Sequence, residues 1–160
     1  MYHFLELFIK LKENVSSKLF KCNGAGYLIN SAEEFVRLRL SDNQDEYLRA
    51  AWDEAPIEIW LEIIDNYPDM RFWVAQNKMV PAEVLEILAA DPSDRVRFMV
   101  ASKNKLPERL QLKMALDNDS SVRMRIAMNK KVTRSVLIIL KEDRDEEIRQ
   151  KAIERLAILK

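Results

Sequence analysis

The sequence predicts an all-α chain: a right-handed α-solenoid of short two-helix repeats, closed at its N-terminal end by a capping helix. Three observations predict it. The 160 residues include only two glycines, and glycine is the residue that tight hairpins and phosphate-cradling loops draw on for positive φ. Hydrophobic residues make up 48% and charged residues 32% of the chain, enough apolar surface for a packed core and too much for wholesale disorder. The third is an internal repeat, because Asp65, Asp91, Asp117 and Asp143 recur at a constant spacing of 26.

The same composition limits the chemistry. A single cysteine, Cys22, allows no intramolecular disulfide and no cysteine-rich metal cluster. Histidine occurs once, at position 3, so a triad built on it would have to use the chain's start. Basic and acidic residues balance at 26 each, so no bulk field draws in nucleic acid or an acidic membrane. No apolar run approaches the length of a bilayer span. A free thiol without a disulfide fits a reducing compartment and a cytoplasmic location.

From the N-terminus, residues 2–20 read as an amphipathic helix with Phe4, Phe8, Leu11, Val15 and Leu19 on one face. It is expected to cap the open end of the solenoid, with docking on a membrane surface as the competing reading. Cys22, Asn23, Gly24, Ala25 and Gly26 form a turn that holds both glycines. Ser31-x-x-Glu34 is a capping box opening a helix to about Leu40. Residues 1–41 thus form an N-terminal helical cap, and 42–160 the repeats.

The repeats divide into a degenerate copy at 42–64, full units at 65–90, 91–116 and 117–142, and a truncated one at 143–160. Six residues after each Asp stands an arginine, Arg71, Arg97, Arg123 or Arg149, preceded by Met70, Val96, Val122 or Ile148. Small residues follow at Ala75, Ala101 and Ala127, and then Pro81, Pro107 and Thr133. Each unit is expected to hold two helices of about nine to eleven residues. Ser93, Asp119 and Asp145 are placed to cap the first helix, and Asn77, Lys78, Lys103, Lys105, Asn129, Lys130 and Lys131 to follow it, where cations suit the dipole. Pro81 and Pro107 suit the first turn of the second helix. Pro56, Ile59, Trp60 and Ile63 echo this in the degenerate copy, one residue out of phase.

Asp-x5-Arg with an apolar residue before the arginine resembles the HEAT-like α-solenoids. The run Val96-Arg97-Phe98-Met99-Val100-Ala101-Ser102-Lys103-Asn104-Lys105-Leu106-Pro107 resembles, more closely, the leucine-rich repeat variant family. The resemblance covers residues 65–160 well and 42–64 weakly. It speaks for architecture and is almost silent on activity. One type of family member has an N-terminal iron–sulfur cluster. With Cys22 alone that feature does not carry over, and no cofactor is expected.

The resemblance implies that Asp65, Arg71, Asp91, Arg97, Asp117, Arg123, Asp143 and Arg149 form a structural ladder between adjacent units. An arginine fork can bridge a carboxylate and nearby carbonyls. The alternative is a row of arginines for phosphates. It also implies that the second helices line a concave face, where Glu83, Glu86, Arg109, Lys113 and Arg134 are the candidate protein-binding row. Acidic groups before the first helices and lysines after them give the units one acidic and one basic edge, which dipole satisfaction explains and which a charged partner could also use. Residues 1–64 hold 7 basic and 11 acidic groups, net −4, and residues 65–160 hold 19 and 15, net +4. Trp60 and Trp73 are expected in the core, Trp73 with part of its ring exposed, and Trp52 either packed under the N-terminal segment or serving as a binding anchor.

The function expected is a non-catalytic protein–protein interaction module acting through its concave face. One version is a bacterial immunity or antitoxin-like protein that masks a toxin. A nucleic-acid-binding or DNA-repair protein is the alternative, resting on Lys103, Lys105, Lys113, Lys130, Lys131 and Trp73. It is disfavoured by a pI of about 6.6. An enzyme such as a HEAT-like lyase subunit ranks third, because no acid–base constellation is present.

Overall fold

The structure is a computed structural model that describes residues 28–159. The expected N-terminal helix and the turn holding Gly24 and Gly26 lie outside the described residues. Among the described residues there are ten α-helices, one 3-10 turn and no β-strand. A lone parallel bridge joins Leu28 and Glu54. The chain divides into two compact units, Met1–Ala90 and Asp91–Lys160.

In the first unit α1 is Ala32–Leu40, α2 Gln44–Trp52, α3 Ile57–Asn66, α4 Arg71–Gln76 and α5 Ala82–Leu88, with a 3-10 turn at Pro68–Met70. Ser31 Oγ accepts the Glu34 N–H at the start of α1 (3.1 Å), as a capping box requires. The return bond is displaced by one residue: the Glu34 carboxylate takes the N–H of Asn30 (2.8 Å). Asn43 caps α2 through the N–H groups of Asp45 and Glu46. The helix α1 packs on α2 and α3, and α3 on α4 and α5. Their core holds Phe35, Leu38, Trp60, Ile63, Ile64, Val84 and Leu88, with Phe35 and Trp60 meeting edge to face at 5.5 Å.

In the second unit α6 is Asp94–Ala101, α7 Glu108–Met114, α8 Ser120–Ala127, α9 Arg134–Leu140 and α10 Glu146–Ile158. The helix α8 packs between α6 and α10, while α9 packs on α7. Val96, Val100, Leu110, Met114, Val122, Ile126, Val136, Leu137, Leu140 and Ile148 fill the interior. Ala75, Ala101 and Ala127 are fully buried, in keeping with the small side chain at that point of each first helix. Helices of six to eight residues do not persist alone in water, so this burial, about 1.5–3 kcal/mol for each large aliphatic side chain, is what holds them.

From α4 to α9 the helices are shorter than the nine to eleven residues expected. Pro56, Pro81, Pro107 and Thr133 stand just before α3, α5, α7 and α9, each as the N-cap. The prolines therefore lie one residue outside the first turn. At the other end the chain tightens: Ala90, Leu116 and Glu142 donate to the carbonyls of Ile87, Lys113 and Ile139 three residues back. Asp119 and Asp145 cap α8 and α10 with their carboxylates. Ser93 makes no side-chain cap bond. Its N–H donates to Asp91 instead (2.8 Å).

Candidate functional site

The repeated arginines and aspartates meet in the second unit. Arg97 Nε and Nη2 donate to the two carboxylate oxygens of Asp117 at 2.8 and 3.0 Å. Arg123 does the same to Asp143 at 2.7 and 3.0 Å. The carboxylate partner stands twenty residues ahead, while the aspartate six residues behind contributes its carbonyl. Arg97 donates to Asp91 O (2.9 Å), Arg123 to Asp117 O (2.9 Å) and Arg149 to Asp143 O (2.6 Å). A second Nη1 bond reaches Pro92 O from Arg97 and Asn118 O from Arg123.

Each aspartate is itself positioned. Asp91, Asp117 and Asp143 accept the N–H two residues on, from Ser93, Asp119 and Asp145 (2.8–2.9 Å). Burial pushes the Asp143 carboxyl up, but the Arg123 fork and the Asp145 N–H outweigh it and hold it below its ordinary value. The bond to Asp117 raises Arg97, and that to Asp143 raises Arg123. Both forks are thus occupied by carboxylates, which leaves neither arginine open to bind a phosphate.

The first unit departs from this pattern. Asp65 lies in the last turn of α3 rather than in a loop, because α3 runs on to Asn66 and the 3-10 turn at Pro68 fills the connection. Arg71 Nε accordingly donates to Ile64 O (2.7 Å), one residue earlier than the pattern. At the other end Arg149 pairs with Glu146 in its own helix.

A second recurring interaction was not read from the sequence. Asn77 and Asn129, placed there as helix-end polar groups, are buried. Asn77 Nδ2 donates to the carbonyls of Ala50 and Asp53 (both 3.0 Å), and its Oδ1 accepts the Met79 N–H (2.7 Å). Asn129 Nδ2 donates to Ala101 O and Lys103 O (3.4 and 2.8 Å), and its Oδ1 accepts the Lys131 N–H (2.9 Å). Arg155, one period after Asn129, donates to Ala127 O (3.3 Å). These side chains satisfy carbonyls left open at the end of an earlier helix. The spacing of 52 between the asparagines, twice the repeat, was the available signal. Gln111 is buried and does related work, donating to Leu106 O and Lys131 O and accepting from Thr133 N–H.

The candidate binding row is divided between the units. Glu83 is exposed and Glu86 half-buried on α5. Arg109 is exposed and Lys113 half-buried on α7, and burial pushes the Lys113 ammonium below its ordinary value. Arg134 is exposed at the start of α9 and donates to Leu159 O (3.1 Å). Because α7 and α9 pack together, Arg109, Lys113 and Arg134 lie on adjacent helices. Elsewhere in this unit an open cleft of about 380 Å³ lies beside Arg123 and Asp143, walled by Leu116, Asn118, Ile139 and Arg144. Arg144 there donates to Asn118 O (2.6 Å).

Among the tryptophans only Trp60 is fully buried. Trp52 is 59% exposed, and the N-terminal segment it was expected to pack under lies outside the described residues. Trp73 is half-buried under the Arg39 guanidinium, whose carbon stands 3.2 Å from the ring centroid and 3.8 Å from that of Tyr47. The sequence signal for this arrangement was the spacing of Tyr47 and Trp73, one period apart.

Among the described residues no group of three or more His, Cys, Asp or Glu side chains is set to hold a metal ion, and no helix is long and apolar enough to cross a membrane. Comparison with protein-family models, curated proteins and solved structures finds no match to this chain.

Proposed function

We propose that the chain is a HEAT-like α-solenoid, closest to the leucine-rich repeat variants, and that it serves as a non-catalytic protein-binding module in the cytoplasm. The observation that carries the reading is the pair of identical forks, Arg97 on Asp117 and Arg123 on Asp143, one 26-residue period apart. Polar groups used in this way fix one helix on the next. They are spent on the frame, which leaves recognition to side chains that differ from unit to unit. Arg109, Lys113 and Arg134 are such side chains, and they offer a cationic row to an acidic partner surface. An immunity protein masking a toxin is one concrete form of this module. Trp73, the stacking platform that a nucleic-acid reader would need, has Arg39 over its ring, which weighs against that alternative.

The test is crosslinking capture in the native host, followed by reconstitution with the purified partner. Reversing Arg109, Lys113 and Arg134 to glutamate should weaken the reconstituted complex by at least about tenfold. An unchanged Kd would remove the proposed row. Single-stranded DNA bound in place of any protein would overturn the module reading itself.

A further inference from the structure

Arg39 is held differently from its neighbours in the first unit. Arg37 pairs with Glu46 (2.7 Å), Arg49 with Asp53 (2.8 Å) and Glu34 (3.3 Å), and Arg71 donates to a backbone carbonyl. Arg39 instead lies against the rings of Tyr47 and Trp73. None of its N–H groups meets an acceptor among the described residues. A guanidinium stacked by its faces keeps its N–H edges available. Stacking also fixes the long side chain in advance, so a ligand need not meet the entropic cost of ordering it. The group is partly stripped of water, and burial holds it below the ordinary arginine value.

Exposed apolar side chains stand on the same helix pair, α1 and α2, and at the C-terminal end of α1. Leu40, next in sequence, is 68% exposed, and Tyr47, Leu48 and Trp52 on α2 are also exposed. Leu48 and Trp52 are four residues apart and share a face of that helix. Single exposed apolar side chains are ordinary, but a concentration of them marks an interaction surface. Aromatic residues and arginine are the side chains that dominate interface energetics.

Charge decides what kind of anion this fork could accept. Residues 1–90 carry 9 basic groups against 15 acidic ones, net −6. Such a field repels a polyphosphate or an anionic lipid sheet. A single carboxylate on an otherwise apolar segment escapes most of that repulsion and suits a two-pronged donor.

We propose that Arg39, held between Tyr47 and Trp73, reads one carboxylate of a partner-protein segment whose flanking apolar residues cover Leu40, Leu48 and Trp52. The proposal rests on the protein-binding reading and gives it a surface on α1 and α2 of the first unit.

The test is selection of a displayed library of short random peptides on the full chain, followed by solution titrations of the enriched sequences. The expected winners share one Asp or Glu flanked by apolar residues. Arg39→Gln and Arg39→Lys should each weaken them by at least about tenfold, the lysine because it keeps the charge and loses the fork. Trp52→Ala should weaken them by about fivefold or more. Arg39→Lys is the reference should the glutamine variant fail to fold. Winners without an acidic residue, or equal affinity for Arg39→Lys, would overturn the clamp and leave the binding-module reading standing. An empty selection would also overturn the clamp, and the α7–α9 charge-reversal experiment would then judge the module independently. Titrations with inorganic phosphate, single-stranded DNA and phosphatidylserine vesicles complete the set. Tighter binding of any of these than of the peptides would reassign Arg39 to phosphate chemistry and overturn the proposal.

Discussion

Arg123 grips both carboxylate oxygens of Asp143, and each side chain is only about 5% exposed. One period earlier, Arg97 and Asp117 repeat the geometry at 16% and 8%. The two pairs share a chemistry and differ in burial, so they form an internal comparison of what a carboxylate fork contributes as water is withdrawn.

Truncating one partner of a buried pair strands the other charge, which costs about 3–5 kcal/mol. Arg123→Ala or Asp143→Ala should approach that range. Arg97→Ala, with more water at hand, should cost less, about 1.5–3 kcal/mol as for a hydrogen bond to a charged group. Replacing both members, Arg123→Met with Asp143→Leu, should recover most of the loss because no unpaired charge remains. Urea denaturation of the variants measures this. Equal losses at Arg97 and Arg123 would refute the dependence on burial, and an unchanged melting temperature for Arg97→Ala would refute a supporting role for its fork.

The pH dependence follows from the carboxylates. Asp143 sits below its ordinary value of 3.8 when folded, its burial outweighed by Arg123, the Asp145 N–H and the charge of Arg144. Asp119 is lowered too, first by the Ser121 hydroxyl. A carboxyl with a depressed folded value contributes fully above its unfolded value and loses that contribution as pH falls through the folded one. Stability should therefore be flat across neutral pH and fall below about pH 4. Asp143→Asn lacks one of the titrating groups, so the gap between wild type and variant should narrow as pH drops from about 5 to 2. A gap constant over that interval would show that Asp143 is not the group titrating.

How far the sequence displays the fold can be judged from these same residues. The helical character and the helix starts were legible, because the prolines at 56, 81 and 107 and the caps Ser31, Asp119 and Asp145 act locally. The Asp/Arg spacing was legible as a pattern, since the same residue types recur at the same interval in the sequence. The resemblance implied a ladder between neighbouring repeats but not its detailed wiring: Arg97 takes the carboxylate of Asp117, twenty residues on, and only the backbone of Asp91, a choice that depends on how two helices approach. Asn129 and Gln111 were missed for a related reason, since their partners are carbonyls, which leave no trace in side-chain identity. Arg39 and Trp52 were hidden because stacking and exposure are decided by elements far apart in sequence.

The ion pair at the last helix should behave differently from the forks. Arg149 pairs with Glu146 in the same helix, and Glu146 is exposed. Water already solvates such a group, and a surface pair of this kind contributes little. Glu146→Gln should leave the melting temperature of the chain unchanged, whereas Asp143→Asn, three residues away, lowers it. A comparable fall in both would mean that local helix propensity, rather than burial of the forks, explains the sensitivity of this segment.

The buried asparagines give the sharpest test of the helix-end wiring. Asn129 offers its amide hydrogens to two carbonyls and its oxygen to one N–H, and Asn77 does the same in the first unit. Alanine at either position leaves buried backbone groups without partners, at about 1–3 kcal/mol. Aspartate is nearly isosteric but turns a donor into an acceptor facing two carbonyls and buries a charge, so Asn129→Asp should be worse than Asn129→Ala. Lysine or arginine at the same position restores a donor, and Arg155 already reaches Ala127 O from one period on. Asn129→Arg should therefore lose less than Asn129→Asp. Chemical denaturation of the three variants gives the order directly, and an aspartate variant as stable as the alanine one would show that donation to Ala101 and Lys103 is not what the site requires.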